Sequence, residues 1–255
     1  MVQLKTDTSI EAMRETGRVV AQVLTAARQA ATVGVSLREL DEVAREVLRE
    51  AGAGSPFLNY RPHFAPTPFP AVICASVNDA IVHGIPTDQR LRDGDLVSVD
   101  AGATLGGWAG DSAISFTVGR ARPADTRLIE TAYEALDAGI AAAVVGNRIG
   151  DIAHAIGTVC RSAGYGIPEG FGGHGVGRSM HEDPAVPNEG RPGRGMPLRH
   201  GMVLAIEPML ISGGTDAFHP DRDGWTLRTT DGSRAAHAEH TVAITDDGPR
   251  ILTAL

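Results

Sequence analysis

VGVSLRELDEVAREVLREAGAG, residues 33–54, returns in outline as VGNRIGDIAHAIGTVCRSAGYG, residues 145–166. The two segments align at the opening Val-Gly, at their apolar positions and at the closing Arg-x-Ala-Gly-x-Gly. Each has apolar residues at helical spacing and glycines where a helix would stop. A lag of about 112 residues is nearly half of the chain and too long for a solenoid unit. It points to an α+β fold of two halves, roughly residues 10–120 and 121–253, about a pseudo-two-fold axis with a site between them. A chance likeness of two glycine-capped amphipathic helices is the rival explanation.

Upstream of the first repeat, Ile10, Met13, Gly17, Val20, Ala21, Leu24 and Ala27 recur at helical spacing, with Ser9 as the expected N-cap. Within the repeat, Ser36 caps a helix whose face is Leu37, Leu40, Val43, Ala44, Val47 and Leu48. Helical spacing returns over 126–145 and 149–163. Residues 55–70 hold Pro56, Pro62, Pro66, Pro68 and Pro70 and read as an irregular loop before a strand at 71–76. Strands at 96–100 and 112–118, with Gly102, Gly106, Gly107 and Gly110 between them, read as an antiparallel pair that places Asp100 and Asp111 on one hairpin. A Gly-rich stretch at 164–177 precedes strands near 202–207 and 237–245.

Composition narrows the function. The chain has 255 residues, with Lys plus Arg 23 against Asp plus Glu 31 and a formal charge of −8. No basic block stands out, which argues against nucleic acid as a partner. No apolar run approaches the ~20 residues that cross a bilayer. The N-terminus lacks a signal core, so the expected location is the cytoplasm. Cys74 and Cys160 form no Cys-x-x-Cys pattern and read as reduced, buried thiols. Gly170, Gly172 and Gly175 satisfy G-x-G-x-x-G, but Pro184 and Pro187 stand where the following helix would run, so the dinucleotide reading fails. Walker A, G-x-S-x-G and H-E-x-x-H patterns are absent from the sequence.

Carboxylates in apolar settings are the better clue. Asp100 ends Leu-Val-Ser-Val, Glu207 ends Val-Leu-Ala-Ile, and Glu239 leads into an apolar strand. Such groups are costly unless a cation or hydrogen bonds compensate them. His174 stands in Gly-Gly-His-Gly-Val-Gly, where missing side chains allow close approach. Together they suit an oxygen-rich metal site with one imidazole. The ordinary reading of each is a turn former or a solvated residue. His63, His154, His200, His219, His237 and His240 read as structural or surface histidines; alternation puts His237 and His240 on opposite strand faces.

Several further segments are specific: IEAMRETGRVVAQVL, ICASVNDAIVHGIP, LRDGDLVSVDAGA with GWAGDSAISFTVG, GGHGVGRSMHEDP, LRHGMVLAIEPM and DGWTLRTTDGSRAAHAEHT. In that order they resemble type I methionine aminopeptidases, metallopeptidases of the pita-bread fold, from about Ile10 to Thr253.

The resemblance implies a curved antiparallel sheet covered by helices, as one catalytic domain over residues 1–255 without a targeting or N-terminal extension. It implies two divalent ions (Co, Mn, Fe or Zn) on Asp100, Asp111, His174, Glu207 and Glu239, with Asp111 and Glu239 bridging, Asp100 on one ion, and His174 and Glu207 on the other. His83, His181 and Glu207 would be catalytic. The implied reaction is co-translational removal of the initiator methionine before a small second residue, by a hydroxide that the two ions activate. The methionine pocket would use His63, Phe69, Cys74, Met180 and Trp225 beside His83 and His181. Pro66 and Met180 stand where aromatics are common in the family, which implies altered pocket contacts. Nascent N-termini beginning Met-(Gly/Ala/Ser) are the implied partners, with a monomeric enzyme and at most transient ribosome contact.

Two rivals remain. An X-Pro aminopeptidase or prolidase would share the five ligands, but His83 stands in His-Gly-Ile-Pro, the context of the methionine group. A binding protein that keeps the fold without catalysis would commonly lose ligands, and here all five types are present.

Overall fold

Thr6, not Ser9, caps the first helix: its hydroxyl accepts the Ser9 N–H at 3.2 Å, so α1 spans Asp7–Ala30, a turn earlier than expected. This computed structural model describes residues 2–62 and 65–255. Helix α1 buries Ile10, Met13, Val20, Leu24 and Ala27, the stripe that the sequence periodicity gave. Helix α2, Leu37–Glu50, starts at Ser36 with a reciprocal cap: Glu39 N–H donates to the Ser36 hydroxyl, and the Glu39 carboxylate accepts the Ser36 N–H. The chain then runs through β1 (Ile73–Val77), β2 (Ala80–Val82), β3 (Leu96–Leu105) and β4 (Trp108–Thr117).

The second set of helices repeats this local arrangement. Helix α3 is Pro123–Ala142, with proline in its first turn, and α4 is Ile149–Ser162. Before α4, Arg148 N–H donates to Asp151 Oδ2 at 2.7 Å, as Ser36 does to Glu39. Gly34 and Gly146 have φ of 93° and 95° and donate to Leu91 O and Leu198 O. Isolated bridges join Ser36 to Arg90 and Arg148 to Pro197. The aligned segments therefore occupy matching settings.

Strands β3 and β4 form one long hairpin rather than two short strands. Its turn is Gly106–Gly107, both at positive φ, as the tight turn of a twisted hairpin requires. Gly102 and Gly110, expected in the connection, lie inside the strands, with Gly102 opposite Asp111. The remaining strands are β5 (Gly172–Gly175), β6 (Glu182–Pro187), β7 (Val203–Ile206), β8 (Met209–Ile211), β9 (Phe218–Pro220), β10 (Leu227–Thr229), β11 (Ala235–His237), β12 (His240–Thr245) and β13 (Gly248–Ile251). The single strand expected at 237–245 is thus two: β11 pairs with β8, whereas β12 pairs with β7 and β13.

Two main sheets result, ordered β1-β3-β4 and β13-β12-β7-β5-β6, both antiparallel. Helices α1 and α2 cover the first through Val20, Leu24, Leu40, Ile73, Val97 and Val99. Helices α3 and α4 cover the second through Leu128, Leu136, Ile152, Ile156, Leu204 and Ile206. Each such fully buried side chain contributes about 1.5–3 kcal/mol. The curved, helix-backed arrangement is the pita-bread architecture. Among the described residues no helix is long and apolar enough to cross a membrane.

Candidate metal centre and active site

The two sheets are joined where the carboxylates sit. Thr241 of β12 accepts the Asp111 N–H and donates to Asp111 O, at 3.0 and 2.7 Å. Ser112 Oγ donates to Glu239 O, and Glu239 N–H donates to Ala113 O at 3.0 Å. These bonds fix the backbones of Asp111 and Glu239, so their side chains are aimed before any ligand arrives. Asp100 comes from β3, His174 from β5, and Glu207 follows β7. A Cβ at Gly173 or Gly175 would strike Ala205 O or Asp183 O, so the glycines beside His174 let β5 lie close between its neighbours. The Glu207 carbonyl is held by Asn188 Nδ2 at 2.9 Å.

The imidazole of His174 is oriented by its own neighbour: Nδ1 lies 2.9 Å from Gly175 O. With the proton there, Nε2 offers a lone pair, and it faces Glu207 Oε1 at 3.7 Å and Asp111 Oδ2 at 3.9 Å. Asp111, His174 and Glu239 bring ligand atoms within 4.8 Å of one another, and so do Glu207, His237 and Glu239. Glu239 is common to both clusters. Asp100 belongs to neither, yet it opens on the same cavity.

Electrostatics make this cluster hard to keep without a cation. Asp111 and Glu239 are only 4 % and 2 % exposed. Among the described residues the basic side chains within 4.0 Å of their carboxylates are histidines, not Lys or Arg. Burial, reinforced by neighbouring carboxylates, pushes both groups far above the usual carboxylate range, and burial raises Asp100 to about 7. Asp100 Oδ1, Asp111 Oδ1 and Glu239 Oε1 are buried without a hydrogen-bond partner. Orphaned acceptors, convergent donors and an imidazole fixed in the ligating tautomer fit divalent ions.

Above the carboxylates lies a cavity of about 360 Å³. Its wall includes every expected ligand, together with His83, His181, Phe69, Cys74, Met180 and Trp225. His63 lies outside the described residues. Trp225 stands edge-on to Phe69, ring centres 5.1 Å apart, and 6.4 Å from His83. The His181 ring is 4.2 Å from His174 and 5.4 Å from Tyr60. Burial lowers both His83 and His181 to about 4, which keeps them neutral at pH 7. Burial likewise drives the Cys74 thiol well up, so it too is neutral at pH 7. His83 has φ 60°, an uncommon conformation for a side-chain-bearing residue and one that clusters at functional sites.

Sequence reasoning missed several of these residues. Phe57 and Tyr60 line the cavity from the stretch read as an irregular proline loop. Phe171 and Met209 lie in local patterns that carry no chemical signature. His237, read as structural or surface, is 2 % exposed and stands 3.3 Å from Glu207 Oε2. The signal was available, because residues two apart share a strand face and His237 is two before Glu239.

The family model for metallopeptidase family M24 matches residues 11–246. The chain belongs to metallopeptidase family M24. It is 56 % identical over 251 residues to methionine aminopeptidase 1 of Mycobacterium tuberculosis, covering 96 % of this chain and 92 % of that one. The solved methionine aminopeptidase of Thermotoga maritima superposes with TM-score 0.95 at 38 % identity, all of each chain being covered. The prolidase of Pyrococcus furiosus superposes with TM-score 0.78 at 23 % identity, over 99 % of this chain and 65 % of the prolidase, a likeness of fold alone. Membership in the family makes this a metal-dependent peptidase, with the carboxylate and imidazole clusters as candidate ligands of divalent ions.

Proposed function

We propose that the protein is a methionyl aminopeptidase that removes the initiator methionine from nascent polypeptides when the second residue is small. The observation that carries this reading is the joint wall of the cavity: Phe69, Cys74, Met180 and Trp225 surround space suited to an unbranched thioether, directly beside the carboxylate cluster. Similarity to methionine aminopeptidases over almost the whole chain supports it.

In this reading the centre takes two divalent ions (Co, Mn, Fe or Zn). Asp100, Asp111, His174, Glu207 and Glu239 would hold them. Four carboxylates then balance the charge of two divalent ions. Such ions, when bound, polarise the scissile carbonyl and lower the pKa of water at the site toward roughly 7. Glu207 takes the proton that the attacking water loses and passes it to the leaving amine. Neutral His181 donates an N–H to the carbonyl oxygen as negative charge develops there, and His83 engages the scissile amide and the leaving nitrogen. The free α-amino group of the substrate lies against the carboxylate cluster, so a blocked N-terminus is not processed.

The enzyme would act as a single catalytic unit built of the two halves, as a monomer in the cytoplasm with transient ribosome contact. The test is methionine release from Met-Ala-Ser, Met-Lys-Ser, N-acetyl-Met-Ala-Ser and, as prolidase control, amino-acid release from Ala-Pro-Ala, each with added Mn or Co and with chelator. Metal-dependent release from Met-Ala-Ser alone is expected. Cleavage of Ala-Pro-Ala would move the assignment to the prolyl peptidases, and no cleavage with metal bound would favour a binding protein.

A further inference from the structure

We propose that His237 is a metal ligand, giving the centre a second imidazole beside the one from His174. The proposal rests on the dimetal reading above and extends its ligand set. His237 ends β11, and its Nε2 lies 4.0 Å from Glu239 Oε2, two residues on. Its backbone is pinned: its N–H donates to Ser115 Oγ at 2.9 Å, and Ser115 Oγ donates back to His237 O at 2.7 Å. The residue pairs with Met209 on β8. The ring is therefore placed by a hairpin on one side and a strand on the other.

What that placement produces is a buried nitrogen with no hydrogen-bond partner. Nε2 of His237 is orphaned, in a residue 2 % exposed. Glu207 Oε2 lies 3.3 Å from it and Glu239 Oε2 4.0 Å. Donors about 2.0–2.2 Å from one ion stand roughly 3–3.5 Å from each other, the range in which the His237–Glu207 distance falls. Glu207 consequently has one imidazole at each oxygen: His174 near Oε1 and His237 near Oε2. A purely structural histidine would be expected to spend its ring nitrogen on a hydrogen bond. A second imidazole also changes the chemistry of the centre, shifting its preference away from Mn and toward Co and Zn.

The experiment is titration of metal-depleted protein with Co(II), followed by calorimetry and by the visible absorption of the bound ion, for wild type and His237→Gln. Glutamine keeps a hydrogen-bond donor for Glu207 and removes the imidazole. If His237 ligates, one of the binding steps weakens by about tenfold or more, since even a residue one shell out commonly costs 10–100-fold, and the absorption band changes. An isotherm and spectrum identical to wild type would overturn the proposal while leaving the dimetal reading intact. Wild type that takes up no Co(II) would overturn both. Should the variant fail to fold by circular dichroism, histidine-labelled wild type decides: two directly coordinated rings with large contact shifts in the Co(II) NMR spectrum support ligation, and one refutes it.

Discussion

His181 is not among the candidate ligands and meets the His174 ring at 4.2 Å, so His181→Ala should lower kcat by about 10²-fold, the usual cost of one oxyanion donor, while bound metal measured by atomic absorption stays unchanged. Asp100 carries a proton up to about pH 7 because it is buried. A cation must displace that proton, so apparent metal affinity should fall as pH drops below 7, by about one decade per unit for each proton released. Calorimetric titration at pH 6 and 7.5 in buffers of different ionisation heat checks both the slope and the proton count. At this scale the sequence was informative where a residue type was chemically odd for its setting. Asp100, Glu207 and Glu239 at strand ends and His174 among glycines were visible for that reason. Tyr60 and Phe171 were not, because an aromatic in a loop is unremarkable until the fold closes a cavity over it.

The segment that carries His181 is braced from two directions. Lys5, its side chain 2 % exposed, reaches Glu182 at 2.7 Å, and Glu182 also accepts the Ser179 N–H. On the other side the Arg178 guanidinium lies 3.7 Å over the Trp108 ring and donates to Gly106 O and Gly107 O in the hairpin turn. Glu182→Ala would leave the Lys5 ammonium buried and unpaired, a loss of about 3–5 kcal/mol for a pair of this kind. Urea denaturation should register it, and a loss below about 1 kcal/mol would show the pair to be dispensable. Helices α1, α2, α3 and α4 were legible from periodicity and caps, with ends displaced by no more than a turn. The β3–β4 hairpin was read too short because Gly102 and Gly110 look like turn residues. They are in fact strand positions under Pro56 and Phe57 and against α1. The division of 237–245 into β11 and β12 was invisible, since it arises from two strands seeking different partners far away in sequence.

For the whole molecule, the candidate centre lies where the two main sheets are joined, so metal and stability should be linked. Ions that bind only the folded chain contribute about 2.7 kcal/mol per site at a hundredfold excess over Kd. Chelation should therefore lower Tm by about 5–10 °C for each site emptied in a chain of this size, and an unchanged Tm after confirmed metal loss would contradict the linkage. The repeat at 33–54 and 145–166 exposed the correspondence of α2 and α4, because local capping chemistry is written in adjacent residues. The joining of β4 to Glu239 and β12 is carried by contacts between distant residues and left no local trace. Fold alone does not separate this chain from prolidases, which share it; the sequence similarity to methionine aminopeptidases over nearly the whole chain does. The most direct single measurement is methionine release from Met-Ala-Ser by metal-depleted protein as Co(II) or Mn(II) is returned, run beside Asp111→Asn. The account predicts activity that rises with bound metal in wild type and stays below about one hundredth of it in the variant. Release that is independent of metal, or equal in the variant, would contradict it.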